Sequence, residues 1–269
     1  MSPKLKRLLG AIATAVACNA ALAAPSLWIS DSDGTLGTVN LADGAVSIVG
    51  QMRVVMTDIA FDAQGDLWGV SSASALYRIN HDTAAVQLVG GIGQRVNSLV
   101  FGDDGTLYAA HTWLMRINPA TGAATMIGGQ GGFKSSGDLA FVNGNLYLSS
   151  MAPAADTLYR IDARTGAGTA VGSGIATGAV YGLATDDNIH LYGVSGNQVL
   201  AIDLGTGVGR VMHTYSSQSG LDQAFGTAFT TEAVAVIPEP PAAWMLGAGL
   251  LLWALRRWRQ LARGTTTAA

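Results

Sequence analysis

The sequence predicts an all-β fold, a five-bladed β-propeller whose ring is closed by a strand near the C-terminal end. Three observations carry that expectation. A strand–turn–strand unit recurs about every 40 residues, so that Phe61, Phe101 and Phe141 stand 40 residues apart. The composition, with 35 glycines, 49% hydrophobic and only 12% charged residues, suits short strands and tight turns. The first repeat lacks its opening strand, and a spare strand follows the last repeat. Four short strands at this period make one propeller blade.

Residues 1–23 read as a signal peptide. Lys4, Lys6 and Arg7 precede an apolar run from Leu8 to Ala17, and Ala21 and Ala23 supply the small side chains for cleavage before Ala24. The only cysteine, Cys18, lies in the part removed, leaving the mature chain without a thiol. A rival reading takes Ala15-Val16-Ala17-Cys18 as a lipoprotein box.

The propeller is expected over 24–235, with blades at 26–50 plus 225–230, 57–90, 97–128, 137–172 and 180–212. The first half of each unit is an apolar strand, a turn of Asp, Asn and Gly, and a strand centred on Trp68, Tyr108, Tyr147 or Tyr192. The second half is a hairpin in which Ile79, Ile117, Ile161 and Ile202 alternate with outward Arg78, Arg116, Arg160 and Ala201. Asn118, Asp162 and Asp203 open the hairpin turn, and Gly122, Gly166 and Gly207 supply its left-handed residue. Ala84 stands at that glycine position in the second blade, which predicts a different turn there. Phe225 to Thr230 resemble strand one of the other units and would complete the first blade. Ring closure removes exposed sheet edges.

Between residues 24 and 240 the chain carries all 18 acids against 8 bases. Nucleic acid is an unsuitable partner for a body of that sign. Propellers work at the face where loops enter strand one. There Arg53, Arg95 and Lys134 lie in the loops, with Asp58, Asn97 and Asp138 at the strand starts. The functional expectation is a polar mouth for a sugar or an anion; the bland one is Arg–Asp pairing around a water-filled channel. No cofactor is expected, calcium apart. Asp31 and Asp33 of Asp31-Ser32-Asp33-Gly34, and the pair Asp186 and Asp187, are the calcium candidates. No glutamate closes such a loop, and a plain turn wants the same residues. Catalysis finds little support. The two glutamates, Glu232 and Glu239, lie outside the blades, and His81, His111, His190 and His213 sit at non-equivalent positions. A carbohydrate-active or lactone-hydrolysing propeller enzyme remains the alternative.

The tail, 236–263, has its own logic. Pro238-Glu239-Pro240 leads into 14 uncharged residues, Ala242 to Leu255, and then Arg256, Arg257, Arg259 and Arg263. As a helix that run spans about 21 Å, short of a hydrocarbon core near 30 Å. Tryptophans at its ends and snorkelling arginines make a thin or tilted transmembrane helix feasible, with the basic end in the cytoplasm. Pro238, Glu239 and Pro240, the short apolar segment, and Arg256-Arg257 together resemble the PEP-CTERM sorting signal of Gram-negative bacteria. The resemblance covers about residues 236–260; Pro241 is an extra proline beyond its pattern. It implies recognition and processing by an exosortase near Pro-Glu-Pro, export across the inner membrane to the envelope or surface, and association with exopolysaccharide and biofilm matrix. The expected function is a non-catalytic binding or structural component there.

Overall fold

The computed structural model describes residues 24–153, 156–175 and 178–233. They form twenty strands arranged as five four-stranded antiparallel sheets, an all-β five-bladed propeller. Blade 1 comprises β1 (Ser26–Asp31), β2 (Thr35–Asn40), β3 (Val46–Gln51) and, innermost, β20 (Ala224–Ala228). Blade 2 runs from β4 (Met56–Phe61) through β5 (Leu67–Ser71) and β6 (Ala75–Ile79) to β7 (Val86–Gly91). Blade 3 holds β8 (Ser98–Phe101), β9 (Leu107–Ala110), β10 (Leu114–Ile117) and β11 (Ala124–Ile127). Blade 4 holds β12 (Lys134–Val142), β13 (Asn145–Ala152), β14 (Thr157–Ile161) and β15 (Gly168–Val171). Blade 5 holds β16 (Gly182–Ala184), β17 (Leu191–Ser195), β18 (Gln198–Ile202) and β19 (Gly209–Thr214). The ring closes as expected: β20 pairs with β1, placing Trp28 opposite Ala228 and Ile29 opposite Thr227.

The core is divided among the five seams between blades, one apolar cluster per seam. This explains the aromatic spacing. The ring on the second strand of one blade meets the strand-one phenylalanine of the next: Trp28 with Phe61 at 5.5 Å, Trp68 with Phe101 at 6.0 Å, Tyr108 with Phe141 at 5.5 Å, Tyr192 with Phe229 at 5.7 Å. Each such pair adds about 0.5–1.5 kcal/mol to the burial itself. Thr185 takes the phenylalanine position at the seam between blades 4 and 5. The outward Arg78 lies over the Trp68 ring at 4.6 Å and pairs with Asp66 at 2.7 Å.

The hairpin turns follow the sequence logic. Asn118, Asp162 and Asp203 accept bonds from the amides two residues on, at 2.8, 2.8 and 3.0 Å. Ala84 corrects the expectation of a different turn. It adopts φ +58° and donates its N–H to Asn80 O at 2.8 Å, the bond that Gly122 makes to Asn118 O at the same length. The Ala84 methyl group finds room there, fully buried in the apolar cluster between blades 1 and 2. Gly166 has no such room. Its φ is +73° and a Cβ there would sit 2.4 Å from Ile127 O on blade 3. Gly166→Ala is expected to cost at least about 2 kcal/mol in a urea titration, from left-handed strain plus overpacking. A loss below half of that would mean that the seam yields.

The signal segment and the sorting segment, with Ala21, Ala23, Pro238, Glu239, Pro240, Arg256 and Arg257, lie outside the described residues. Ala24 is the first described residue, just ahead of β1. Among the described residues no helix is long and apolar enough to cross a membrane.

Candidate functional site

The five inner strands β20, β4, β8, β12 and β16 stand side by side around the axis, close enough for β12 to touch β4 and β20 across the ring. Two successive rows of residues near their starts build the site. The first row, Thr57, Asn97, Gly137, Tyr181 and Phe225, lines a cup of about 200 Å³ together with Ser136. The second row, Asp58, Ser98, Asp138, Gly182 and Gly226, lies one residue further into the ring. Gly226 permits the close approach, because a Cβ there would lie 2.4 Å from Asp58 Cα.

The cup has two unlike walls. Blades 5 and 1 supply Tyr181 and Phe225, edge to face with centroids 5.8 Å apart. Blades 3 and 4 supply the polar side. Asn97 Nδ2 donates to Ser135 O at 3.1 Å, and its Oδ1 lies 3.4 Å from His111 Nδ1. Ser136 is 6% exposed and its Oγ has no hydrogen-bond partner. Burial, then the nearby charges of Arg95 and Lys134, lower the His111 pKa. Arg53, Arg95 and Lys134 are exposed, and no carboxylate among the described residues pairs with any of them.

Asp58 and Asp138 are wholly buried, and their carboxyl groups meet in hydrogen-bond contact across the axis. This corrects the expectation of Arg–Asp pairing. A short carboxylate inside an inner strand reaches the seams, where backbone amides of the neighbouring inner strand are the donors at hand. Asp58 Oδ1 accepts from Ile59 N at 2.8 Å and Oδ2 from Leu99 N of blade 3 at 2.6 Å. Asp138 Oδ1 accepts from Leu139 N at 2.6 Å, and Oδ2 from Leu183 N of blade 5 at 2.6 Å and Thr227 Oγ1 of blade 1 at 3.0 Å. Burial, then the adjoining Asp138, raises the Asp58 pKa well above the carboxylate range. Burial pushes Asp138 up to about 8 against the pull of those hydrogen bonds.

A third carboxyl closes the far end. After β20 the chain turns, with Glu232 N donating to Phe229 O at 3.1 Å. Thr231 then reaches Asp186 of blade 5, and Ala233 packs into the seam between blades 2 and 3. The segment therefore crosses the end of the ring opposite the cup. Glu232 is half-buried, but its Oε1 is enclosed without a partner, and burial followed by the Asp138 charge raises its pKa.

Of the calcium candidates, Asp31 and Asp187 are engaged by backbone amides, while Asp186 Oδ1 is enclosed without a hydrogen-bond partner. Asp31 Oδ1 accepts from Asp33 N and Thr35 N, and Oδ2 from Asp222 N. Asp187 accepts from the amides of Ile189 and His190 and pairs with the His190 ring. Asp186 carries a raised pKa from burial and from Asp187. Among the described residues no group of three or more His, Cys, Asp or Glu could hold a metal ion.

Of the six mouth candidates, the structure brings Asn97 into the cup and Asp58 and Asp138 beneath it, while Arg95 and Lys134 are exposed, outside its lining, near enough to His111 for their charges to act on it. Arg53 stays in the exposed loop between β3 and β4. Thr57, Ser136, Tyr181, Phe225 and Glu232 were not among those candidates. The available signal was the column Thr57, Asn97, Gly137, Tyr181, Phe225, where otherwise similar repeats disagree.

Five four-stranded blades closed into a ring, with a cup at one end, define an all-β propeller, and the comparisons agree on its repeats. Residues 93–188 match a family described as a repeat of unknown function (DUF6923). No curated protein matches the chain. A Bacteroides thetaiotaomicron protein of unknown function is similar, with a TM-score of 0.51 at 14% identity over 79% of this chain. The alignment spans 66% of that protein, just under two thirds of its length. A Bacteroides caccae protein of unknown function aligns with a TM-score of 0.44 at 13% identity, covering 72% and 74% of the two chains. A Xanthomonas campestris gluconolactonase, important in glucose secondary metabolic pathways, aligns at 0.48 and 18%, covering 76% and 80%. The first likeness concerns the fold alone, and the other two are too distant to carry an argument.

Proposed function

We propose that the protein is an exported, surface-sorted binding or structural component of a Gram-negative envelope or biofilm matrix, processed by an exosortase at its C-terminal segment. The cup is the observation that carries the binding half. It offers a concave surface with one aromatic wall and a polar wall, and the loops leading into its strands carry unpaired cations. The carboxyl groups beneath it already hold backbone amides, so they serve the ring before any substrate. The reading calls for no cofactor and no nucleic acid; its partners are the exosortase and a matrix polysaccharide. The alternative, a carbohydrate-active or lactone-hydrolysing enzyme, draws on the buried Asp58–Asp138 pair under the cup, whose pKa values burial raises.

The sorting half rests on the tail's resemblance to PEP-CTERM signals. Mass and location of the protein are to be measured in its host with and without the exosortase. The expected result is a shorter, surface-exposed form that disappears when the exosortase is deleted. The same mass and location in both strains would remove the sorting reading.

A further inference from the structure

We infer that the cup is a receptor for a single hexuronate ring, an inference that rests on the binding reading above and narrows it to one ligand class. The volume comes first. At about 200 Å³ the cup is smaller than the ~300 Å³ at which drug-sized sites begin, which suits one six-membered ring with its substituents. The cup opens outward, so neighbouring units of a longer chain would lie beyond its rim.

The walls decide the chemistry of that ring. Tyr181 and Phe225 present apolar surface from blades 5 and 1, which matches the C–H face of a pyranose. Facing them, Asn97 has spent one of its two N–H donors on Ser135 O and turned one lone pair to His111. One donor and one lone pair remain for a ligand. Ser136 lines the wall, but its hydroxyl is enclosed, so Asn97 and Thr57 carry the polar contacts. Thr57 donates to Val70 O at 3.1 Å and keeps its lone pairs. Groups that both donate and accept answer hydroxyls, which do the same.

The cations supply the last element. Arg95 stands two residues before Asn97 and Lys134 two before Ser136, so both long side chains are anchored next to the polar wall, outside the residues that line the cup. Both act on His111, and neither has a carboxylate partner among the described residues. A neutral sugar would leave them unused; a bare sulfate or acetate would leave the aromatic wall unused. A carboxylate on the ring edge uses both. The surrounding body, with 18 acids to 8 bases, repels a long polyanion, so recognition is of one carboxylate and not of a stretch of charge.

The test titrates the full chain with glucuronate, galacturonate, glucose, acetate, sulfate and an oligogalacturonate, read by calorimetry and by saturation transfer to the sugar protons. Both hexuronates are expected to bind at least tenfold tighter than glucose, with acetate and sulfate silent. Arg95→Gln combined with Lys134→Gln should lower hexuronate affinity to that of glucose while leaving the urea midpoint unchanged, because both side chains are exposed. An oligomer that binds no better than the monomer assigns the site to a free or terminal unit. An oligomer that binds tighter than its number of units accounts for assigns it to units within a polymer. Either result supports the inference. Glucose equal to glucuronate, indifferent to the double variant, overturns the hexuronate class and leaves a sugar-binding cup. Binding of the oligomer alone, abolished by 0.3 M salt, overturns it in favour of non-specific polyanion attachment. Silence towards every sugar from a folded protein overturns the inference and the binding reading together.

Discussion

Asp138→Ala is expected to destabilise the protein by about 3–5 kcal/mol at pH 5, more than any single change in the cup. The variant deprives three buried donors of one acceptor: Leu139 N, Leu183 N and Thr227 Oγ1. Those donors belong to blades 4, 5 and 1, so one carboxyl ties three of the five inner strands. No water replaces it easily, because the site is fully enclosed. Ser98→Ala at the equivalent ring position is the control. The Ser98 hydroxyl bonds only to Ala110 O and Ala110 N within its own blade, so its loss should cost about 1–2 kcal/mol. Urea midpoints of the two variants against the parent settle the matter. Equal losses would mean that the carboxyl does not act as a tie between blades.

Stability is expected to rise as pH falls from 8 towards 5, by at least about 2 kcal/mol. Asp58, Asp138 and Glu232 all have folded pKa values above the carboxylate range, Asp138 at about 8. In the unfolded chain they titrate near 4. Between those limits the native state binds more protons than the unfolded one. The stability they contribute is therefore full below about pH 4 and is lost as pH rises through the folded values. Each excess proton changes stability by about 1.4 kcal/mol per pH unit. Asp186 is raised too and acts in the same sense. His111 opposes: its folded pKa is depressed, so it removes stability as pH falls below about 6.5. Asp162, Asp187 and Asp203 are depressed and act only below the unfolded carboxylate value, outside the window. Thermal midpoints at pH 8, 6.5 and 5 check the trend, and Asp58→Asn should flatten it. A midpoint that is highest at pH 8 would contradict protonated carboxyls on the axis.

The blades were legible because their signals are local. Phe61, Phe101 and Phe141 mark strand one, the Asx turns mark the hairpins, and the spare strand at Phe225 announces closure. Blade edges differ by a few residues: β12 begins at Lys134, ahead of the expected 137, and β16 at Gly182, behind the expected 180. The site was half legible. Asp58 and Asp138 were singled out, but an inner strand is buried on both faces, so alternation does not say which residues look down the axis. Tyr181 and Phe225 read as ordinary strand aromatics until the ring sets them side by side. Glu232 follows the last strand and gains its place only because β20 delivers it beneath the axis, a relation across the whole chain. The tail's chemistry, by contrast, is entirely a matter of sequence order.

The pairing of β1 with β20 makes each chain carry an acceptor near one end and the matching donor near the other. Until residues 224–228 arrive, the inner edge of β1 offers unpaired backbone to any strand of the right register. The strand of a second copy satisfies it as well as its own. Which of the two fills it is a contest between intramolecular effective concentration, which falls slowly with the length of chain to be looped, and the concentration of other copies. Crowded chains thus have a route to swapped assemblies that needs no new contact, and dilution favours the solitary ring.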